Sequence, residues 1–185
     1  TGVDAGVGGG GNFGTPQGMT ATGGSVSDYT TAPGDVYRAH IFTSTGTFNV
    51  TDITSDFGTT IEYVVVAGGG GGGNGEAGAG GAGGYRSSVA GESTGGGGSL
   101  ESAITISSAQ PYTVVVGGGG AQINSGTDSL FGPGTPSPIP ATGGGAGAYH
   151  SAAAGGGSGG GSGDYPRGGR PGAGTANQGY AGGQG

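Results

Sequence analysis

The sequence contains no cysteine and no lysine, and Met19 is the single methionine in 185 residues. Without cysteine there are no disulfides and no thiolate metal ligands, so the fold must stand without covalent staples in any redox setting. Charge is also scarce. Only 8% of residues are charged, the cations are Arg38, Arg86, Arg167 and Arg170, and the formal net charge is −7. Phosphate backbones and anionic membrane surfaces need clustered Lys and Arg, so neither a nucleic acid nor a membrane is expected as a partner. No apolar run approaches the roughly 18 residues of a spanning helix, and the start carries no signal-peptide pattern.

What the chain has instead is glycine, 56 residues of it. Aperiodic glycine at this level often reads as low complexity. Disordered chains, however, are usually rich in charge, and this one is poor in it. Two of its strongest strand-like runs also lead straight into glycine: "IEYVVVAGGGGGG" (Ile61–Gly73) and "YTVVVGGGG" (Tyr112–Gly120).

Residues 1–18 read as an extended glycine-rich lead-in, a tether or docking arm for other subunits. Residues 19–67 and 99–116 use Val, Ile, Thr, Tyr and Phe between Gly/Pro/Asp clusters, which is strand-and-turn text. In "DVYRAHIF", Tyr37, Ala39 and Ile41 share one face, with Arg38, His40 and Phe42 on the other. "STGT" (Ser44–Thr47) predicts a hairpin turn with Gly46 at positive φ. The β-branched run "YVVV" predicts a strand covered on both faces. Residues 68–98 and 117–185 are the two glycine-rich blocks, the second entered through a turn-rich connector, "INSGTDSLFGPGTPSPIPA". No stretch has the 3.6-residue apolar period of a helix, which glycine would penalise heavily.

Ordered glycine has few structural options. Collagen needs glycine at every third position together with abundant proline, and "GAYHSAAAGGGSGGGSGDYPRGG" breaks that register. Silk-like Gly–Ala alternation occurs only in fragments. There remains a bundle of polyproline-II-type glycine helices, three residues per turn, whose outward-pointing N–H and C=O groups pair between neighbours. Only glycine allows approach on every side, so Ala, Ser or Tyr fits where a turn faces outward. The expected fold is therefore all-β, an antiparallel sandwich-like domain combined with a bundle of polyglycine helices and essentially no α-helix.

The order of "HIFTSTGTF" (His40–Phe48), "EYVVVAGGGGGG" (Glu62–Gly73), "GGAGGYR" (Gly80–Arg86) and "YTVVVGGGG" (Tyr112–Gly120) resembles the glycine-rich domain of tailed-phage virion proteins. That domain occurs in tail fibres and related appendages, particularly of marine and cyanobacterial phages. The text is more loosely similar to the glycine-rich adhesin tips of T-even-like phage fibres, where packed polyglycine helices present variable loops. The resemblance implies a protein of the virion surface, on a tail fibre or the capsid exterior, as a homo-oligomer with a trimer favoured. Its expected partners are other virion subunits and a host cell-surface receptor. The long anchor and shaft of a full fibre are not seen, so a separate tip, appendage or decoration subunit is expected. An extracellular glycine-rich structural protein is the further alternative.

Enzymatic chemistry finds little support. Gly-x-Gly-x-x-Gly matches abound but lack a following helix or a phosphate-loop lysine. His40 and His150 are far apart, and His40 reads as a hydrogen-bonded strand residue. Asp164 in "GGSGDYP" stands alone where a calcium repeat needs an array. No enzyme activity, cofactor or metal is expected. The residues that interrupt the glycine blocks are the candidate contacts: Tyr85, Arg86, Tyr149, His150, Tyr165, Arg167, Arg170 and Tyr180. Tyr and Arg give large contact area and directed donors. The same residues equally suit covering the bundle or an assembly interface.

Overall fold

The computed structural model describes residues 17–31, 35–132, 138–163 and 169–185. Most of the expected docking arm, 1–18, lies outside them. Its last residues are anchored: Gln17 N–H donates to Asp56 Oδ2 at 2.8 Å, and Asp56 N–H donates back to the Gln17 carbonyl at 3.0 Å.

The described residues form thirteen short strands: β1 (Thr20–Thr22), β2 (Ser25–Thr31), β3 (Asp35–Ile41), β4 (Gly46–Asp52), β5 (Thr60–Ile61), β6 (Val64–Val66), β7 (Tyr85–Ser87), β8 (Ile104–Thr105), β9 (Pro111–Val115), β10 (Ser129–Phe131), β11 (Ile139–Ala141), β12 (Ala148–Tyr149) and β13 (Ser162–Gly163). A single 3₁₀ turn, Gly95–Gly97, is their one helical element. The architecture is all-β, as expected.

An antiparallel sheet of order β1-β4-β9-β10-β11 carries the side-chain core. Alternation along β4 turns Phe48 and Val50 inward, where they are buried with Ile106 and Tyr112. Phe131 stacks on Tyr112 at a centroid distance of 6.1 Å. Ile61 and Ile104, from the β5–β8 pair, pack against this cluster and form the second layer. Each fully buried side chain contributes about 1.5–3 kcal/mol. Pro140 fits β11 because that strand is the sheet edge and needs no donor there.

The glycine blocks form an ordered lattice that continues the strand pairings. Val66 pairs with Tyr85, and in the same register Ala67 donates to Gly84, Gly70 to Gly81 and Gly73 to Gly78, at 2.8–3.1 Å. Leu130 pairs with Val115, and Thr127 then donates to Gly118. Ser129 pairs with Ala141, and Gly126 then donates to Gly144. Bonds to the other neighbours also recur in steps of three: Gly78, Gly81 and Gly84 donate to Ala148, Gly145 and Thr142. A three-residue repeat with all bonds made between segments is the signature of polyproline-II geometry.

That geometry explains where side chains occur. A β-carbon at Gly68, Gly70, Gly71, Gly80, Gly81 or Gly83 would fall within 2.2 Å of a neighbouring carbonyl oxygen. Gly69 and Gly72 have no such contact, and Ala79, Ala82 and Tyr85 follow at the same spacing of three. In the enclosed 142–148 segment, Gly143, Gly144, Gly145 and Gly147 are all blocked by carbonyl oxygens at 2.1 Å or less.

Four expectations need correction. Ser44–Thr47 is not a hairpin turn: β3 pairs only with β2, whereas β4 enters the large sheet beside β1 and β9, and Gly46 lies within β4 without positive φ. "YVVV" is not covered on both faces. Val64 and Val66 are 48% and 54% exposed, because β6 belongs to a two-stranded sheet and the third valine, Val65, alone turns inward. "IEYVVVA" is two strands, interrupted at Glu62–Tyr63. The connector "INSGTDSLFGPGTPSPIPA" holds β10 and β11, so it is part of the main sheet.

Candidate functional site

The lattice has two unlike ends. At the sheet end, polar side chains receive the first backbone N–H groups of the glycine segments. Asp128 Oδ1 accepts from Gly143 (2.7 Å), Ser129 Oγ from Gly117 (2.9 Å), Thr127 Oγ1 from Gly118 (2.8 Å) and Gln178 Oε1 from Thr142 (2.7 Å). At the distal end the chain reverses at 74–76, 122–123 and 149–152. There Gly163, just before residues 164–168, pairs in parallel with Tyr149.

The structure separates the candidate contacts into two groups. Tyr149, His150 and Arg170 come together at the distal end. The Tyr149 and His150 rings lie 3.7 Å apart, and His150 holds a left-handed φ of 54°. Arg170 bridges Ala152, its carbonyl accepts from Ala153 at 2.8 Å, and its residue is exposed. Tyr165 and Arg167 lie outside the described residues, as does Asp164.

Tyr85, Arg86 and Tyr180 are elsewhere. Tyr180 is 68% exposed on the flank, beside Gly97. Arg86 is committed inside the molecule. Its Nε and Nη2 donate to the two Glu101 oxygens at 2.7 and 2.5 Å, and Nη1 donates to the Pro140 carbonyl at 3.0 Å. Tyr63 donates to the same carboxylate at 2.6 Å. Burial alone would raise the Glu101 pKa, but the hydrogen bonds from Arg86 and Tyr63 and the Arg86 charge outweigh it and hold the carboxyl below its ordinary value. Burial and Glu101 push the Tyr63 hydroxyl up. Tyr85 donates to Glu92 at 2.5 Å, and Ser87 joins it at 2.7 Å. These hydrogen bonds from Tyr85 and Ser87 lower the Glu92 pKa. The Arg86–Glu101–Tyr63 group therefore ties β7 to the 99–101 segment and to β11, which is a structural role.

His40 is also placed as read from the sequence: Nδ1 lies 2.7 Å from the Gly23 carbonyl, and the ring meets Phe48 edge-on at 5.0 Å. Sequence reasoning missed Glu101, Glu92, Gln178 and the 127–129 caps. No local signal marks them, since the caps at 127–129 stand 9–15 residues from the N–H groups of Gly117, Gly118 and Gly143 that they receive, and Gln178 stands 36 from Thr142.

A shallow groove of about 480 Å³ runs between 76–80, 159–163 and 182–185, walled mostly by glycine, with Ala77, Ala79, Ser162 and Gln184 as other lining residues and Glu76 as its charged side chain. Among the described residues, no group of three or more His, Asp or Glu is placed to hold a metal ion.

Residues 43–185 match the family described as a glycine-rich domain; the stretch leaves β1, β2 and β3 outside it. No curated protein and no solved structure matches the chain.

Proposed function

The chain belongs to the glycine-rich domain family, and we propose that it is a non-enzymatic structural protein of a tailed-phage virion, a tail-fibre or appendage tip that touches the host surface. One observation carries this reading. A lattice stiffened by inter-segment hydrogen bonds holds Tyr149, His150 and Arg170 at the end remote from the sheet. Rigid presentation lowers the ordering cost of a contact, and Tyr and Arg are the side chains that concentrate contact energy. Placement on the virion exterior and assembly with other virion subunits are part of the same proposal.

Competition for adsorption tests it. Soluble protein should block attachment of the phage whose purified virions contain it, and Tyr149→Ala/Arg170→Ala protein should block less while unfolding at the same temperature. A chain found at symmetric capsid positions that never competes is a decoration protein instead. A chain absent from virions belongs to an extracellular glycine-rich structure.

A further inference from the structure

The β2–β3 arm gathers apolar surface that no other described residue covers. Eleven large hydrophobic side chains are exposed among the described residues, and five of them, Val26, Tyr29, Val36, Tyr37 and Ile41, lie on these two strands. Among the described residues the pair is bonded to no third strand. A two-stranded hairpin is at best marginally stable alone in water, and exposed apolar patches of this kind mark interaction sites.

Its register sorts the side chains onto two unlike faces. Tyr29 opposite Tyr37, Ser27 opposite Ala39 and Ser25 opposite Ile41 form one, with the tyrosine rings stacked at 5.5 Å. Val26 opposite His40, Asp28 opposite Arg38 and Thr30 opposite Val36 form the other, where Arg38 grips Asp28 through two 2.8 Å bonds. His40 roots the arm on the body through Gly23 and Phe48.

We propose that the arms of neighbouring copies of this chain pack on one another, the tyrosine face of one against the valine face of the next. Complementarity points to a second copy. Arg38 keeps 57% of its side chain exposed beside its carboxylate, and a guanidinium of this kind stacks on tyrosine rings. The arm thus carries both halves of one contact on opposite faces. Elsewhere a chain of net charge −7 repels its copies, whereas the Asp28–Arg38 pair is neutral. Area points to the use of both faces. Seven residues at about 3.4 Å each make a face about 24 Å long, and at roughly 10 Å width it is far below the ~800 Å² per partner of a stable interface. One such contact alone is too small to hold a pair. The assembly therefore requires each arm to hold two neighbours and the heterologous contacts to close into a ring, from which a copy leaves only by breaking both.

The absence of cysteine makes the test clean. Ser27→Cys copies mixed with Thr30→Cys copies, one cysteine on each face and the rings and valines intact, should cross-link through a short bismaleimide, and either variant alone should not. Sedimentation should show the wild type as several copies and Tyr29→Ser/Tyr37→Ser as a monomer, with the main unfolding transition unmoved because neither ring is in the core. A monomeric wild type, a variant that stays assembled, or cross-linking as strong in either variant alone as in the mixture overturns the proposal. None of these outcomes depends on adsorption, so they leave the proposed function to its own test.

Discussion

Val66 stands opposite Tyr85, and one step further Ala67 donates to Gly84 at 3.0 Å in the same register. The strand pair therefore sets the alignment of the two glycine segments that follow it. Polyglycine has no side chains with which to specify register, and a slip of one residue would offer the same chemistry. The β6–β7, β9–β10 and β10–β11 ladders remove that ambiguity at three places on one end of the lattice.

Alanine substitutions should follow the step of three. At Gly70 a β-carbon would meet the Gly145 oxygen at 2.2 Å, and at Gly144 the Gly81 oxygen at 2.1 Å. Backbone on both sides must then move, so each variant should lose about 1–3 kcal/mol or more. Gly69→Ala meets nothing closer than 3.7 Å. It should be neutral or gain about 0.4–1 kcal/mol by restricting the unfolded chain. Denaturant titration of the three variants decides the matter, and equal effects would refute the lattice register.

The sequence showed that glycine forms structure and which strands enter it, because β-branched runs and glycine runs are contrasting texts. It also placed Tyr37, Ala39 and Ile41 on one face and His40 on a structural bond. It did not show that β3 pairs back with its near neighbour β2 and not with β4, since what draws β4 away is its pairing with β9, distant in sequence. Nor did it show that Arg86 faces Glu101, 15 residues away, while Arg170 stays exposed. Both arginines interrupt glycine in the same manner, and only the third dimension separates them.

Arg86→Ala should destabilise. It leaves the Glu101 carboxylate, whose side chain is 18% exposed, with Tyr63 as its remaining partner. Breaking a fully buried pair costs about 3–5 kcal/mol, and the partial exposure here reduces that to roughly 1–3 kcal/mol. Arg86→Met combined with Glu101→Leu should recover most of the loss in thermal unfolding, because no charge is then left unpaired.

The same group sets an acid limit. Glu101 is held below its ordinary value of 4.5 in the fold, so its contribution is complete above 4.5 and falls away as pH drops through the lower folded value. Melting temperature should therefore decline below about pH 4.5 in the wild type. The decline should be shallower in Glu101→Gln, the remainder coming from other depressed carboxyls such as Glu92 and Asp28. An unchanged slope would remove Glu101 from the account.

Ile123 is a β-branched residue at φ 63°, 62% exposed at a distal turn. Its N–H donates to Gly72 at 2.8 Å, so the lattice imposes this backbone although the side chain resists it. A left-handed conformation costs an ordinary L-residue about 1–2 kcal/mol, and more in steric terms when the β-carbon is branched. Little apolar burial is lost on removing an exposed side chain. Ile123→Gly should therefore stabilise the protein by about 1 kcal/mol, with Ile123→Asn close behind, because asparagine tolerates this region. A rise in the denaturation midpoint at constant slope is the expected result. A fall would mean that the isoleucine side chain contributes packing at this turn that outweighs its backbone strain.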